Sequence, residues 1–269
     1  IYMIMAGYFE DDASDELTKD PIFKAVLEKS ALASQPTVSR FFNRMDEDTL
    51  KQFQEISQIL RKRIYNIQMP QAVILDLDST LLVAYGKQEG RAFNFHYRSN
   101  GYHPLVCYDG ITGDLIKIQL RDGAAYSCTG VTDFLQPILD EYLNDYPTIH
   151  LLLRGDSGFA TPDLYKQCEE NGTSYVIRLM ENFIKESKSG FDFSAVSSHN
   201  RIVNANRVQV HALAYNIFNW FRRLVLSAKM RKQRIDTVRL KLLKIATKVV
   251  HSARYITFKL CSSCPYKNE

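Results

Sequence analysis

A chain of 269 residues with 45% hydrophobic content can bury a core for one large domain or two smaller ones. No apolar run reaches the roughly 20 residues of a membrane span, and five cysteines at irregular spacing suggest reduced thiols in a cytoplasmic protein rather than a disulfide scaffold. Net charge is only +4, yet residues 201–260 carry 14 Lys/Arg against the single acid Asp236, a basic block that points to a polyanion partner, with DNA or RNA leading.

Residues 1–69 read as helical and polar. Asp20 and Pro21 open one amphipathic helix. Ser34 to Arg44 resembles the second helix of a helix-turn-helix, with Arg40 and Arg44 one turn apart on a DNA-facing side; a plain structural helix pair fits the same residues. A third helix runs from Asp46 to Ile67, and Pro70 closes it. The expected organisation is a helical DNA-binding or dimerisation region over 1–70, a catalytic core over 71–200, and a basic helical region over 201–269 that packs on the core.

Ala72-Val-Ile-Leu-Asp-Leu-Asp-Ser-Thr80 follows, an apolar strand running into two carboxylates. Alternation sends Asp76 and Asp78 to the same side of it. A carboxylate ending a core strand is costly unless compensated, commonly by a divalent metal, so this stretch is a catalytic candidate. Turn residues then separate short strands at Phe93 to Arg98, His103 to Tyr108 and Leu115 to Leu120, a meander of hairpins. A helix from Val131 to Tyr146 leads to a second buried strand, Thr148 to Leu153, which places Asp156 just past its C-terminal end, where α/β sheets bind ligands. A helix (Thr161 to Asn171), a strand (Ser174 to Arg178) and a helix (about Met180 to Lys188) complete the pattern. Glu181, Lys185 and Lys188 share one face of that last helix at spacings i, i+4 and i+7. Further on, the aromatics of Tyr215 to Phe221 suit packing on the sheet, and Cys261/Cys264 form a lone pair that lacks two further zinc ligands.

Several of these stretches together resemble the DDE transposases of bacterial insertion sequences, group 1 type. They are Asp76-Leu-Asp-Ser-Thr80, Tyr85-Gly-Lys-Gln-Glu-Gly90, Tyr97 to Leu105, Leu153-Arg-Gly-Asp-Ser-Gly-Phe159, Glu181 to Lys188, Ala212 to Arg222, and Leu32 to Arg40 near the start. The resemblance implies an RNase H-like mixed five-stranded sheet flanked by helices. It also implies a DNA strand cleavage and strand transfer activity at insertion-sequence ends. Asp78, with Asp76 ranked second, matches the first metal-binding acid; Asp156 matches the second. Glu181, seven residues before Lys188, matches the third. Two Mg²⁺ ions, replaceable by Mn²⁺, are the implied cofactors. Lys185 and Lys188 are the expected contacts to the scissile phosphodiester, with Arg154, Arg222, Arg223, Arg231 and Lys232 expected on DNA backbone phosphates. Terminal inverted repeats and target DNA are the implied partners, held by a homodimer.

One departure stands out. The family carries Tyr-x2-Arg-x3-Glu after a long, largely β insertion; here Tyr175 and Arg178 lie on the strand and two residues separate Arg178 from Glu181. The insertion is missing, which keeps open a catalytically impaired DNA-binding remnant. A third reading is a haloacid-dehalogenase-type phosphatase using Asp76 as nucleophile, disfavoured because the Asp-x-Asp strand leads into hairpins and not a helix.

Overall fold

The computed structural model describes residues 1–177, 190–191 and 196–242, together with the backbone of 247–252 and 255–260. The N-terminal helices are α1 (Tyr2–Met5), α2 (Ala13–Leu17), α3 (Pro21–Val26), α4 (Gln35–Asn43) and α5 (Glu47–Ile67). The last starts on a capping box in which Asp46 Oδ1 accepts from the Thr49 amide at 2.9 Å while Thr49 Oγ1 accepts from the Asp46 amide.

The central strand β1 (Ala72–Ser79) alternates as its sequence requires. Val73, Leu75 and Leu77 are buried in the core beneath α6 (Val131–Asp145) and α7 (Pro162–Glu170), each contributing about 1.5–3 kcal/mol, while Ile74, Asp76 and Asp78 take the opposite, half-buried face. Around it lie β5 (Leu105–Asp109), β6 (Leu115–Gln119), β7 (His150–Gly155) and β8 (Ser174–Ile177), in the order β6-β5-β1-β7-β8. The β6–β5 and β5–β1 pairs are antiparallel; β1–β7 and β7–β8 are parallel. This is the expected mixed five-stranded sheet.

The meander differs in detail from expectation. A separate three-stranded sheet, β2 (Leu82–Val83), β3 (Ala92–Asn94) and β4 (Ser99–Tyr102), precedes β5. The chain turns at 95–98, where a strand was expected, and Ser99–Tyr102, expected to begin as a turn, is a strand. The reason is Asn94: its buried side chain accepts from the amides of His96 and Tyr97 and forces the turn, and Arg98 follows at φ 50°.

On the acid-bearing face the long helix α8 (Arg201–Leu224) covers β5 and β6, and α1, α4, α9 (Ala228–Arg231) and α10 (Ile235–Leu242) close over it. The regions before and after the sheet therefore share one core. A polar stripe of α8 also caps the free edge of β6. Asn216 Oδ1 accepts from the Leu115 amide at 2.8 Å and its Nδ2 donates to the Leu115 carbonyl at 2.7 Å; Gln209 donates to the Ile118 carbonyl. Edge strands left bare invite aggregation, and the stripe removes that hazard. Asn216→Leu should destabilise the fold by about 2–4 kcal/mol, since two buried backbone groups lose their partners at about 1–3 kcal/mol each; urea unfolding measures it. Beyond α10, β9 (Thr247–Ser252) and β10 (Tyr255–Leu260) form an antiparallel hairpin, a correction for these two segments to the helical expectation over 201–269.

Candidate active site

The parallel pairing of β1 and β7 aligns Asp76 with Arg154 and Leu77 with Gly155. One residue beyond that last pair come Asp78 and Asp156. Strand alternation therefore brings both acids to one face at the C-terminal edge of the sheet. Both line a cleft of ≈ 680 Å³ with Ser79, Tyr97, His103, Ser127 and Gly158. Local backbone aims them: the Ser79 amide donates to Asp78 Oδ1 at 2.6 Å, and the Gly158 amide donates to Asp156 Oδ1 at 2.8 Å as Asp156 caps a short 3-10 turn.

Asp76 has a different fate. Arg154 binds it in a two-pronged ion pair, Nε to Oδ1 at 2.8 Å and one terminal nitrogen to Oδ2 at 2.6 Å. Asp76, expected as a metal ligand, and Arg154, expected on phosphate, are thus each other's partners in this structure. The phosphatase reading needs a helix after β1, and the chain has the β2–β6 hairpins there instead.

The far wall is the 122–130 loop, held by the buried Arg121. Its Nε donates to the His103 carbonyl at 2.9 Å, and one terminal nitrogen lies within 3.1 Å of the carbonyls of Tyr126, Ser127 and Thr129. Burial lowers its pKa to about 10. Ser127 bonds Ser79 through their hydroxyls at 2.9 Å, tying this wall to the end of β1. Burial also lowers the His103 pKa; its Nδ1 meets the Ala125 carbonyl at 2.7 Å.

Glu181, Lys185, Lys188 and the Cys261/Cys264 pair lie outside the described residues. Among the described residues no third His, Cys or acid joins Asp78 and Asp156 in a metal-holding group. The two acids line one cleft and offer only oxygen donors, the chemistry a hard divalent cation such as Mg²⁺ prefers.

The basic residues divide. Arg40 and Arg44 are exposed on α4, each with its Nε on the carbonyl four residues earlier. Arg231 and Lys232 are exposed after α8, whereas Arg222 binds Asn219 Oδ1 and Arg223 pairs with Asp114 at 2.9 Å. Arg207 pairs with Asp11 and Arg201 with Asp122. The acids that neutralise the basic block are thus distant in sequence. Sequence reasoning missed the aromatic rim of the cleft, Phe93, Phe95, His96 and Tyr97 with Tyr126, because their alternation reads as an ordinary strand.

A mixed sheet in this order, three antiparallel strands and then two parallel ones, with paired acids at the C-terminal edge of the central strands, defines an RNase H-like catalytic core. The family model described as Transposase DDE domain group 1 matches residues 1–182 and 179–269. The chain belongs to that family, a group of transposases. No curated protein matches it. Similar solved structures include the catalytic domain of Mos1 mariner transposase (8% identity, 65% of this chain and 96% of that one, TM-score 0.31). Another is a piggyBac transposase synaptic complex with hairpin DNA (10% identity, 88% and 69%, TM-score 0.40). The strand order and the family match carry the assignment. Among the described residues no helix is long and apolar enough to cross a membrane.

Proposed function

We propose that this chain catalyses Mg²⁺-dependent cleavage and strand transfer of DNA at the ends of an insertion sequence, with Asp78, Asp156 and Glu181 as its acids. The observation that carries the reading is that Asp78, near the end of β1, and Asp156, just past the end of its parallel neighbour β7, line one open cleft. Covalent reach alone keeps Glu181, four residues after the end of β8, within about 14 Å of Ile177, which pairs with Gly155 at this same edge. Asp76, held by Arg154, is set aside in favour of Asp78.

Divalent ions such as Mg²⁺, which Asp78, Asp156 and Glu181 would hold, would supply charge stabilisation to the attacking and leaving oxygens of an in-line displacement. The acids' own work is to hold that charge and fix where the phosphodiester sits. Water attacks phosphorus, a P–O bond to water forms, and the bond to the 3′ oxygen breaks, leaving a 3′-OH. That hydroxyl then attacks a phosphodiester of target DNA, releasing a new 3′-OH there. Lys185 and Lys188 supply phosphate contacts, with Arg40, Arg44, Arg231 and Lys232 on the backbone further out, so affinity falls steeply with salt. The partners are terminal inverted repeats and target DNA, and a homodimer holds the two ends. The test is incubation of the chain with Mg²⁺ and DNA carrying the repeats that flank its gene: new 3′-OH ends joined to target are expected, and intact DNA with either Mg²⁺ or Mn²⁺ rejects the reading.

One observation favours a second reading, a DNA-binding remnant with impaired catalysis. The family match runs in two segments, residues 1–182 and 179–269, which meet at the point where the resemblance leads one to expect the long insertion. DNA binding with no nicking in the same experiment supports it.

A further inference from the structure

We propose that the β3–β4 hairpin tip and Tyr126 form an aromatic platform that stacks unpaired bases of the DNA strand whose phosphate enters the acid cleft. This deepens the transposase reading and rests on it.

Loop tips are ordinarily polar, yet Phe95 is 86% exposed, Tyr126 80%, Phe93 42% and Tyr97 39%. They stand together, and the same cleft that holds Asp78 and Asp156 is lined by all four. Exposed apolar surface concentrated in one patch marks a binding site more often than scattered rings do.

The tip is braced rather than loose. Asn94, 6% exposed, donates to the Gly123 carbonyl at 2.9 Å while accepting from the His96 and Tyr97 amides. Tyr97 OH donates to the Ser79 carbonyl, one residue from Asp78. A Cβ on Gly123 would lie 2.1 Å from the Gly101 carbonyl oxygen and 2.5 Å from that of Ala92, and a Cβ on Gly101 would lie 2.1 Å from the Leu82 carbonyl oxygen. Only glycine permits backbones this close. Gly123 of the cleft wall thus lies backbone to backbone against the hairpin, and Phe95 and Tyr126 remain the most exposed rings of the cleft.

The rings meet edge to face: Phe93 and Phe95 at 5.2 Å and 84°, His96 and Tyr97 at 4.7 Å and 83°. An edge-to-face pair covers one face of one ring and leaves the others, and a ring face is what a base stacks on. Bases inside a duplex are already stacked on their neighbours, so the platform selects an unpaired or extruded base. Arg98, exposed at the turn beside Tyr97, offers a cation to that strand's phosphate. A protein partner would have to bury against two carboxylates at the same opening, which favours a ligand that arrives with metal and phosphate.

The test uses the full chain, a blunt duplex, and the same duplex with a single-stranded 3′ overhang carrying 2-aminopurine. Binding is expected to quench the unpaired base. Phe95→Ala with Tyr126→Ala should abolish the quench and weaken overhang binding about tenfold, with blunt binding changed by less than about twofold. Phe95→Trp should keep the quench, and unchanged thermal unfolding of each variant excludes a folding defect. Blunt binding without quench, or equal loss on both DNAs, overturns the platform alone. Failure to bind either DNA overturns the transposase reading with it. Dimerisation lost in the double variant while quenching persists makes the rim an interface between two copies and overturns the platform.

Discussion

Asp156→Asn should reduce Mg²⁺-dependent nicking of repeat-end DNA by on the order of 10³-fold while leaving the melting temperature within about 2 °C. The rate effect follows from charge. Metal-borne stabilisation of the developing negative charge is worth several kcal/mol, and each 1.36 kcal/mol is a factor of ten in rate. An amide in place of the carboxylate retains the shape and the bond from the Gly158 amide but withdraws the formal charge that the proposed mechanism needs to hold a cation. The small stability effect follows from position: Asp156 lies past the end of β7, half-buried at the cleft, with only its own turn depending on it. Asp76→Asn should behave in the opposite way, weakening the Arg154 pair and the fold more than the chemistry, so the two variants separate a metal-holding acid from a structural one. Gel resolution of nicked and intact DNA, beside calorimetric unfolding of the same preparations, measures both. Equal rate losses for the two variants would overturn the division of roles between Asp76 and Asp78.

That division was only half legible in the sequence. Alternation in Ala72 to Thr80 correctly puts Asp76 and Asp78 on one face, because the strand period is a local property of the chain. Which of the two reaches the cleft depends on register with β7, a contact between residues nearly eighty positions apart, and no local pattern encodes it. The same limit explains the basic block. Residues 201–260 look unneutralised because Asp11, Asp114 and Asp122, the partners of Arg207, Arg223 and Arg201, come from elsewhere in the chain. Arg239 goes further: it is 3% exposed, bonded to the carbonyls of Ile4 and Met5 and packed on Phe191 and Phe218, so a residue counted as surface charge is core. Two errors were local and avoidable in principle. Asn94 has the chemistry of a turn former, and Thr247 to Ser252 and Tyr255 to Leu260 are rich in β-branched and aromatic residues, a strand signal masked by their charge.

Glu141→Ala should be the most destabilising single substitution on the opposite face of the sheet, costing about 3–5 kcal/mol. Arg61 of α5 and Glu141 of α6 form a two-pronged pair at 2.9 and 2.6 Å, and each side chain is only 7% exposed. Arg61 also reaches the Ile116 carbonyl of β6, and one turn along, Tyr65 and Tyr142 share a hydroxyl bond at 2.8 Å. The group fastens the long helix that leads into β1 onto the sheet. Truncation removes the carboxylate and leaves a cation buried with no charge partner, which is why breaking such a pair costs more than the pair contributes. Replacing both residues with apolar side chains of similar size, as in Arg61→Met with Glu141→Leu, removes the stranded charge. That double variant should recover most of the loss, and the coupling between the two sites should exceed about 2 kcal/mol. Thermal unfolding followed by circular dichroism would show a drop on the order of 10 °C for Glu141→Ala and near-native melting for the double variant. A single variant within about 1 kcal/mol of the parent would mean that water reaches Arg61 and that the apolar contacts of Tyr65, Tyr142 and Tyr146 hold α5 in place by themselves.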